Sequence, residues 1–321
     1  MGNPYVGVNS FIGIGEQTSY DSPVGVTKYV PMLSGGDSVK RNDATIESNS
    51  IDSVGYKSTR YRKGKIDVSG SENIEISYEG TELFWEDLFG TVTTSQPNAG
   101  GAPTVYDHTF TVADALKVGL TLEINRGSQS FRVTGAKMTQ IEISQELDKL
   151  MEMNMSFSGR ALDIITASTA TFSTTTSFAS PDAQLTWNGT AQDCSGFKLT
   201  MNQNIDNDRY FIGSRLRNLP VRAGRLEFTG SFDTEFQSTT LYTDFINATQ
   251  RQIVITSTGD FIGATGYNYT WRMTIPIALL TDATPTVGDG GKITFSPAFK
   301  SYRSAGVGEA TLLMRNTLSS F

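Results

Sequence analysis

A single histidine, a single cysteine, a few glycine pairs and a scatter of carboxylates are what this 321-residue chain offers for chemistry. His108 stands in a strand-like Tyr-Asp-His-Thr-Phe run. A general base there needs a Ser or Cys nucleophile motif, and none accompanies it. It is expected as a surface or interface residue. Cys194, near Gly196 and without a local His, reads as a packing thiol. One Cys excludes an internal disulfide and any multi-cysteine zinc site, and one His leaves little room for a His-rich metal site. Gly13-Ile14-Gly15 and Gly35-Gly36 do not continue into a helix with a Lys at phosphate-loop spacing, so strand ends and turns are expected. The run Asn202-Gln203-Asn204-Ile205-Asp206-Asn207-Asp208 alternates oxygen ligands as a calcium loop does. It lacks the Gly of the sharp turn and the closing Glu, and a polar hairpin tip is expected. With no convergent nucleophile, acid–base pair or metal set, the chain reads as a non-enzyme without cofactor or metal.

The carboxylates are left, and their spacing depends on the elements that carry them. Gly is abundant at 31 residues, aromatics make up 10 %, and helix formers are sparse, which points to an all-β chain. Lys and Arg total 26 against 33 Asp and Glu, a formal charge of −7. That balance argues against a protein that grips nucleic acid through its whole surface. It leaves room for one that nucleic acid slides past. No stretch of 18 apolar residues occurs, and the start Met1-Gly2-Asn3-Pro4-Tyr5 lacks the basic-then-apolar order of a secretion signal. A cytosolic, reduced and soluble chain is expected.

The strands repeat. Gly64 opens GKIDVSGS, and half the chain later Gly224 opens GRLEFTGS, matched in character at every position. In the first copy Lys65, Asp67, Ser69, Ser71, Asn73, Glu75 and Ser77 alternate with Ile66, Val68, Gly70, Glu72, Ile74 and Ile76. In the second, Arg225, Glu227, Thr229, Ser231, Asp233, Glu235 and Gln237 alternate with Leu226, Phe228, Gly230, Phe232, Thr234 and Phe236. Period-two alternation predicts a long strand with one dry and one wet face. Each then enters a short helix. Phe84, Trp85, Leu88 and Phe89 precede the stop Gly90, and Leu241, Tyr242, Phe245 and Ile246 precede Asn247. Thr81 and Ser238 or Thr239 are the expected caps, and Asp87 and Asp244 hold equivalent places. Two more alternating strands follow in each half, over 131–144 and 151–159, then 267–277 and 292–299. The Ser/Thr/Ala-rich stretch after Thr166 reads as a linker. The organisation expected is an arm over 1–34, a domain over 35–165, a linker over 166–184 and a second domain over 185–321.

The run Phe11-Ile12-Gly13-Ile14-Gly15-Glu16-Gln17-Thr18-Ser19-Tyr20-Asp21-Ser22-Pro23 resembles the opening of bacteriophage tail tube proteins, of the two-domain kind found in long non-contractile tails. There a Gly, x, Glu, Thr, Ser or Thr, aromatic, Gly, Thr, Pro string precedes the first domain. This chain departs from it with Gln17 inserted and with Asp21-Ser22 before Pro23. The unit 64–90, with its Tyr78-Glu79-Gly80 turn, and the unit 131–159, ending in Phe157-Ser158-Gly159, are similar to the family's core elements.

The resemblance implies an all-β fold of two tandem tail-tube β-sandwich domains, each with one flanking helix. Six such domains, from three chains, join edge to edge into a pseudo-hexameric ring with a β-barrel inner wall. Only the duplication favours three chains over six. Rings stack head to tail around a tape-measure protein, with tail terminator and distal tail proteins at the tube ends. The tube is made in the host bacterial cytoplasm, resides in the virion, and carries double-stranded DNA to the host without binding it specifically. No membrane is implied. An acidic lumen would keep the duplex from sticking. The lumen candidates are Asp67, Glu75, Glu227, Asp233 and Glu235, with Glu142 and Glu152 next. Strand parity fixes which of these share a face, not whether that face looks inward or to outer solvent. Residues 91–117 and 1–34 show too few apolar residues for a core and are expected to contact adjacent rings and order on stacking. A sugar-binding or adhesin β-sandwich is the alternative, but its clustered exposed aromatics are missing. An outer-membrane barrel is disfavoured by the strand-to-helix units and by outer faces that are not uniformly apolar.

Overall fold

The computed structural model describes residues 7, 10–48, 60–287, 291–303 and 308–321. The first half runs β1 (Phe11–Glu16), β2 (Lys28–Pro31), β3 (Lys40–Glu47), β4 (Tyr61–Glu75), α1 (Glu82–Phe89), β5 (Gly90–Ser95), β6 (Tyr106–Val112), β7 (Leu120–Arg126), β8 (Gln129–Glu146), β9 (Glu152–Gly159) and β10 (Ala161–Ile165). The second runs β11 (Ala183–Trp187), β12 (Thr190–Gln192), β13 (Cys194–Asn202), β14 (Ile205–Asp206), β15 (Val221–Arg222), β16 (Glu227–Glu235), α2 (Thr240–Ile246), β17 (Arg251–Phe261), β18 (Asn268–Asp282), β19 (Thr294–Phe295), β20 (Ala298–Ser301) and β21 (Thr311–Asn316). The described residues are mostly β, with two short α-helices, as composition and alternation predict.

The pairing repeats along with the sequence. β4 lies between β3 and β9, and β9 pairs with the C-terminal half of β8. In the second half β16 lies between β13 and β20, and β20 pairs with the end of β18. The correspondence holds residue by residue. Gly70 opposes Phe157, and its counterpart Gly230 opposes Phe299. β8 breaks register after Met138, which faces Phe157, and β18 breaks register after Leu280, which faces Phe299. β8 also pairs with β13. The two groups therefore make one antiparallel sheet in the order β3-β4-β9-β8-β13-β16-β20-β18. It is not closed among the described residues.

β8 and β18 are long because each also serves a further sheet. The N-terminal half of β8 lies between β7 and β10, with β1 and then β2 beyond β7. The earlier part of β18 lies between β17 and β21, with β11 and then β12 beyond β17. Gly135 sits where β8 changes partners, at φ +63. A Cβ there would stand 2.7 Å from the Tyr20 ring, so only glycine fits the turn without a shift.

Dry faces from both repeats meet in one core. Val68, Ile74, Met153, Ile141, Ile143, Leu199, Met201 and Phe232 are all essentially inaccessible. The helices plug that core unequally. Every residue of α1 is buried, including Glu82, Glu86 and Asp87, whereas α2 buries only Leu241 and Asp244. Gly90 takes the left-handed cap of α1 at φ 97, as its sequence position predicts. Asn247 does not do so for α2; the positive φ falls one residue later, at Ala248. Thr81 does not cap α1 with its hydroxyl, which instead accepts a hydrogen bond from Trp85 Nε1 at 3.2 Å.

Two expectations are corrected. Residues within 1–34 do feed the core: β1 pairs with β7 along its whole length, and Ile12 and Ile14 are fully buried. Residues 91–117 also join the core within the single chain. β5 and β6 form a hairpin that docks on β21 and buries Phe110 completely. A few well-placed apolar residues suffice where a strand edge supplies the hydrogen bonds. No helix among the described residues is long and apolar enough to cross a membrane.

Candidate functional site

Directly opposed residues of an antiparallel ladder point the same way. Glu75 opposes Glu152 across β4 and β9. Glu152 opposes Ser144, and Asn154 opposes Glu142, across β9 and β8. Glu142 opposes Thr200, and Gln140 opposes Asn202, across β8 and β13. Asn202 opposes Glu227, and Gly196 opposes Asp233, across β13 and β16. Asp67 follows from Glu75 by parity in β4, and Glu235 from Asp233 in β16. Asp67, Glu75, Glu142, Glu152, Glu227, Asp233 and Glu235 thus share one face of one continuous sheet. Between them lie Ser69, Ser71, Asn73, Ser156, Thr229 and Ser231, the short polar residues that alternation predicts for a wet face.

Cations temper that acidity. Lys198 Nζ lies 2.8 Å from Glu142, Lys300 Nζ 3.1 Å from Glu227, and Lys292 Nζ 2.6 Å from Glu235. Arg217, itself 5 % exposed, pairs with Asp67 and also donates to the carbonyls of Val68 and Gly159. Three carboxylates have no ion pair among the described residues. Ser177 Oγ donates to Glu75 at 3.3 Å, Ser296 Oγ donates to Asp233, and Glu152 stands exposed opposite Glu75. The cations were missed from sequence for different reasons. Lys198 belongs to β13, whose alternation of Phe197, Leu199 and Met201 with Lys198, Thr200 and Asn202 is legible. Arg217 comes from the irregular excursion between β14 and β15, where no periodicity announces it.

The other candidates are structural. His108 is fully buried, not a surface residue. Its ring bridges Thr94 Oγ1 at 2.9 Å and Asn316 Oδ1 at 3.0 Å, so it ties the β5–β6 hairpin to β21. Burial pushes its pKa down and keeps it neutral. Burial also pushes the Cys194 thiol up, away from nucleophilic use. Gly13 and Gly15 lie within β1 rather than at a strand end. The Asn202–Asp208 run turns at Asn204, with φ 48, into β14. No group of three or more metal-ligating side chains occurs among the described residues. A cleft of about 1010 Å³ opens at the end of the polar face and is lined by Asp233, Glu235, Asp282, Thr284 and Lys292 among others.

This face has the composition of a hydrated wall. Around the carboxylates it offers hydroxyls, amides and paired charges, and the ring of Tyr210 stands at its Asp67 end, 4.9 Å from Lys65 Nζ and 5.7 Å from the Arg217 guanidinium. No individual curated protein matches the chain. A family model described as phage tail tube protein matches residues 7–306, nearly the whole length. The chain therefore belongs to the phage tail tube protein family, whose members build the tube of the virion's tail.

Proposed function

We propose that three copies of this chain form a ring of six tail-tube domains, and that rings stack head to tail around a tape-measure protein into the tube of a long non-contractile tail. Tail terminator and distal tail proteins close the assembly at its ends. The tube conducts double-stranded DNA into the host, and the face bearing Asp67, Glu75, Glu142, Glu152, Glu227, Asp233 and Glu235 lines the channel.

One observation carries this reading. A single polar-faced sheet runs through both repeats, and both of its outer edges are open. Among the described residues β3 pairs only with β4, and the chain beyond Asp282 enters no ladder before the described segment ends at 287. Open edges in a lone chain invite uncontrolled pairing, and closing them into a ring removes the hazard. A channel wall of hydroxyls and carboxylates repels the phosphate backbone at close range. The interspersed lysines keep the field modest.

Negative-stain electron microscopy of the purified chain, with mass from light scattering, tests the proposal. Hollow tubes, or rings with the mass of three chains, are expected. A monomer at high concentration that captures glycans would replace it with the sugar-binding reading.

A further inference from the structure

The internal β8–β13 junction is a template for the joint between copies. Gln140 and Asp282 occupy equivalent places, since each follows the register break and faces the residue opposite the matched Ser71 or Ser231. Asn202 and Asn42 are likewise equivalent, facing the matched Glu227 and Asp67. Inside the chain Gln140 pairs with Asn202, Glu142 with Thr200 and Ser144 with Lys198.

Resting on the ring reading above, we propose that the seam between copies repeats this register. Residues 282–287 of one chain run antiparallel to residues 37–42 of a second copy, with Asp282 opposite Asn42, Thr284 opposite Lys40 and Thr286 opposite Ser38.

Three features of the free edges fit that docking. The segment Asp282-Ala283-Thr284-Pro285-Thr286-Val287 alternates polar and apolar residues although no ladder includes it beyond Asp282, and Ala283 is already buried while Thr284, Thr286 and the terminal Val287 are exposed. The pattern continues the wet and dry faces of the sheet.

Pro285 lacks an N–H, and in this register it meets Val39. Ser38 N–H bonds to Ser71 across to β4, so the backbone groups of Val39 point to the open side. Both are already satisfied within the chain: the Val39 N–H donates to Asp37 Oδ1 at 2.9 Å, and its carbonyl accepts from Arg126 Nη2 at 2.6 Å. The proline therefore falls at a rung whose partner groups on Val39 are already satisfied, and there it also blocks pairing in other registers.

The internal junction is fastened diagonally by Glu142 and Lys198 at 2.8 Å. The same diagonal at the seam brings Asp282 to Lys40, both exposed and neither in an ion pair among the described residues.

Cysteine pairs read the register directly. In a Cys194→Ser background, Thr284→Cys with Lys40→Cys places two thiols on a closely spaced rung. Thr286→Cys with Asn42→Cys places them four residues out of register. Assembled tubes are oxidised and run on a denaturing gel. The first pair is expected to give covalent trimers and the second to stay monomeric. Tubes in which only the second pair links would overturn the register while leaving the ring reading intact. Failure of the unaltered chain to form rings or tubes would overturn the ring reading itself. If the cysteine variants do not assemble, charge exchange decides. Asp282→Lys and Lys40→Glu are each expected to weaken assembly of the chain, and the double variant to restore it. Absence of that rescue contradicts the seam.

Discussion

Glu72 is the residue most at odds with its surroundings. It occupies a dry-face position of β4, fully buried, and neither carboxylate oxygen has a hydrogen-bond partner. Its counterpart in the second repeat is Phe232, an ordinary core residue. Burial, with the Asp37 carboxylate adding to it and the Arg126 guanidinium opposing it, pushes the Glu72 pKa from 4.5 up to about 9. The folded chain then holds a proton that the unfolded chain releases. The stabilisation is complete below pH 4.5, declines as pH rises, and is lost through pH 9. Urea midpoints of the unassembled chain should fall across that window. Glu72→Gln should flatten the decline, and an unchanged slope in the variant would show that Glu72 is ionised in the fold. The alternation placed Glu72 on the dry row, but nothing local shows how its charge is managed. Asp37 and Arg126 reach it from other elements.

The elements were legible to the extent that their periodicity was local. β4, β16, β8 and β9 announce themselves by alternation, and α1 by Phe84, Trp85, Leu88, Phe89 and the stop at Gly90. The β5–β6 hairpin was not legible. Its apolar residues are few, and its edge partner β21 lies some two hundred residues away, as the ion pair between Asp107 and Arg315 at 2.6 Å shows. Pairing across such a separation leaves no periodic mark in either segment. The helices differ for a similar reason. Asp87 meets Lys137 from β8 at 2.7 Å, both fully buried, whereas the buried Asp244 is held by Trp187 and by Arg251, which is itself partly exposed. Leu279 stands where the second repeat would need a lysine. The hairpin is a structural part of the unassembled chain. Phe110 packs between Phe89 and Phe321, with centroids 6.5 and 6.1 Å away. Phe110→Ala should cost about 3–5 kcal/mol in urea unfolding of that unassembled chain. A loss confined to assembled tubes would return the hairpin to the stacking role its sequence suggested.

At the scale of the whole molecule, the proposed ring would make of the repeated halves two neighbouring wall segments with an internal joint. In that ring the joint would spare the assembly half of its seams, since β8 and β13 are already paired within the chain. The seven carboxylates lie on four strands, β4, β8, β9 and β16, and parity relates only those within one strand. That these are one face is a property of the β8–β13 junction, which no single strand's pattern encodes. That Lys198 and Lys300 moderate the face was hidden in the same way, because β13 and β20 reach the carboxylates only through pairing in the fold, and Lys292 arrives from the segment just before β19.

The most direct test is a cryo-electron-microscopy reconstruction of the assembled tube, solved without imposed symmetry. The account predicts three chains per ring, with Asp67, Glu75, Glu142, Glu152, Glu227, Asp233 and Glu235 facing the channel. Six chains per ring, or the same carboxylates on the outer surface, would contradict it.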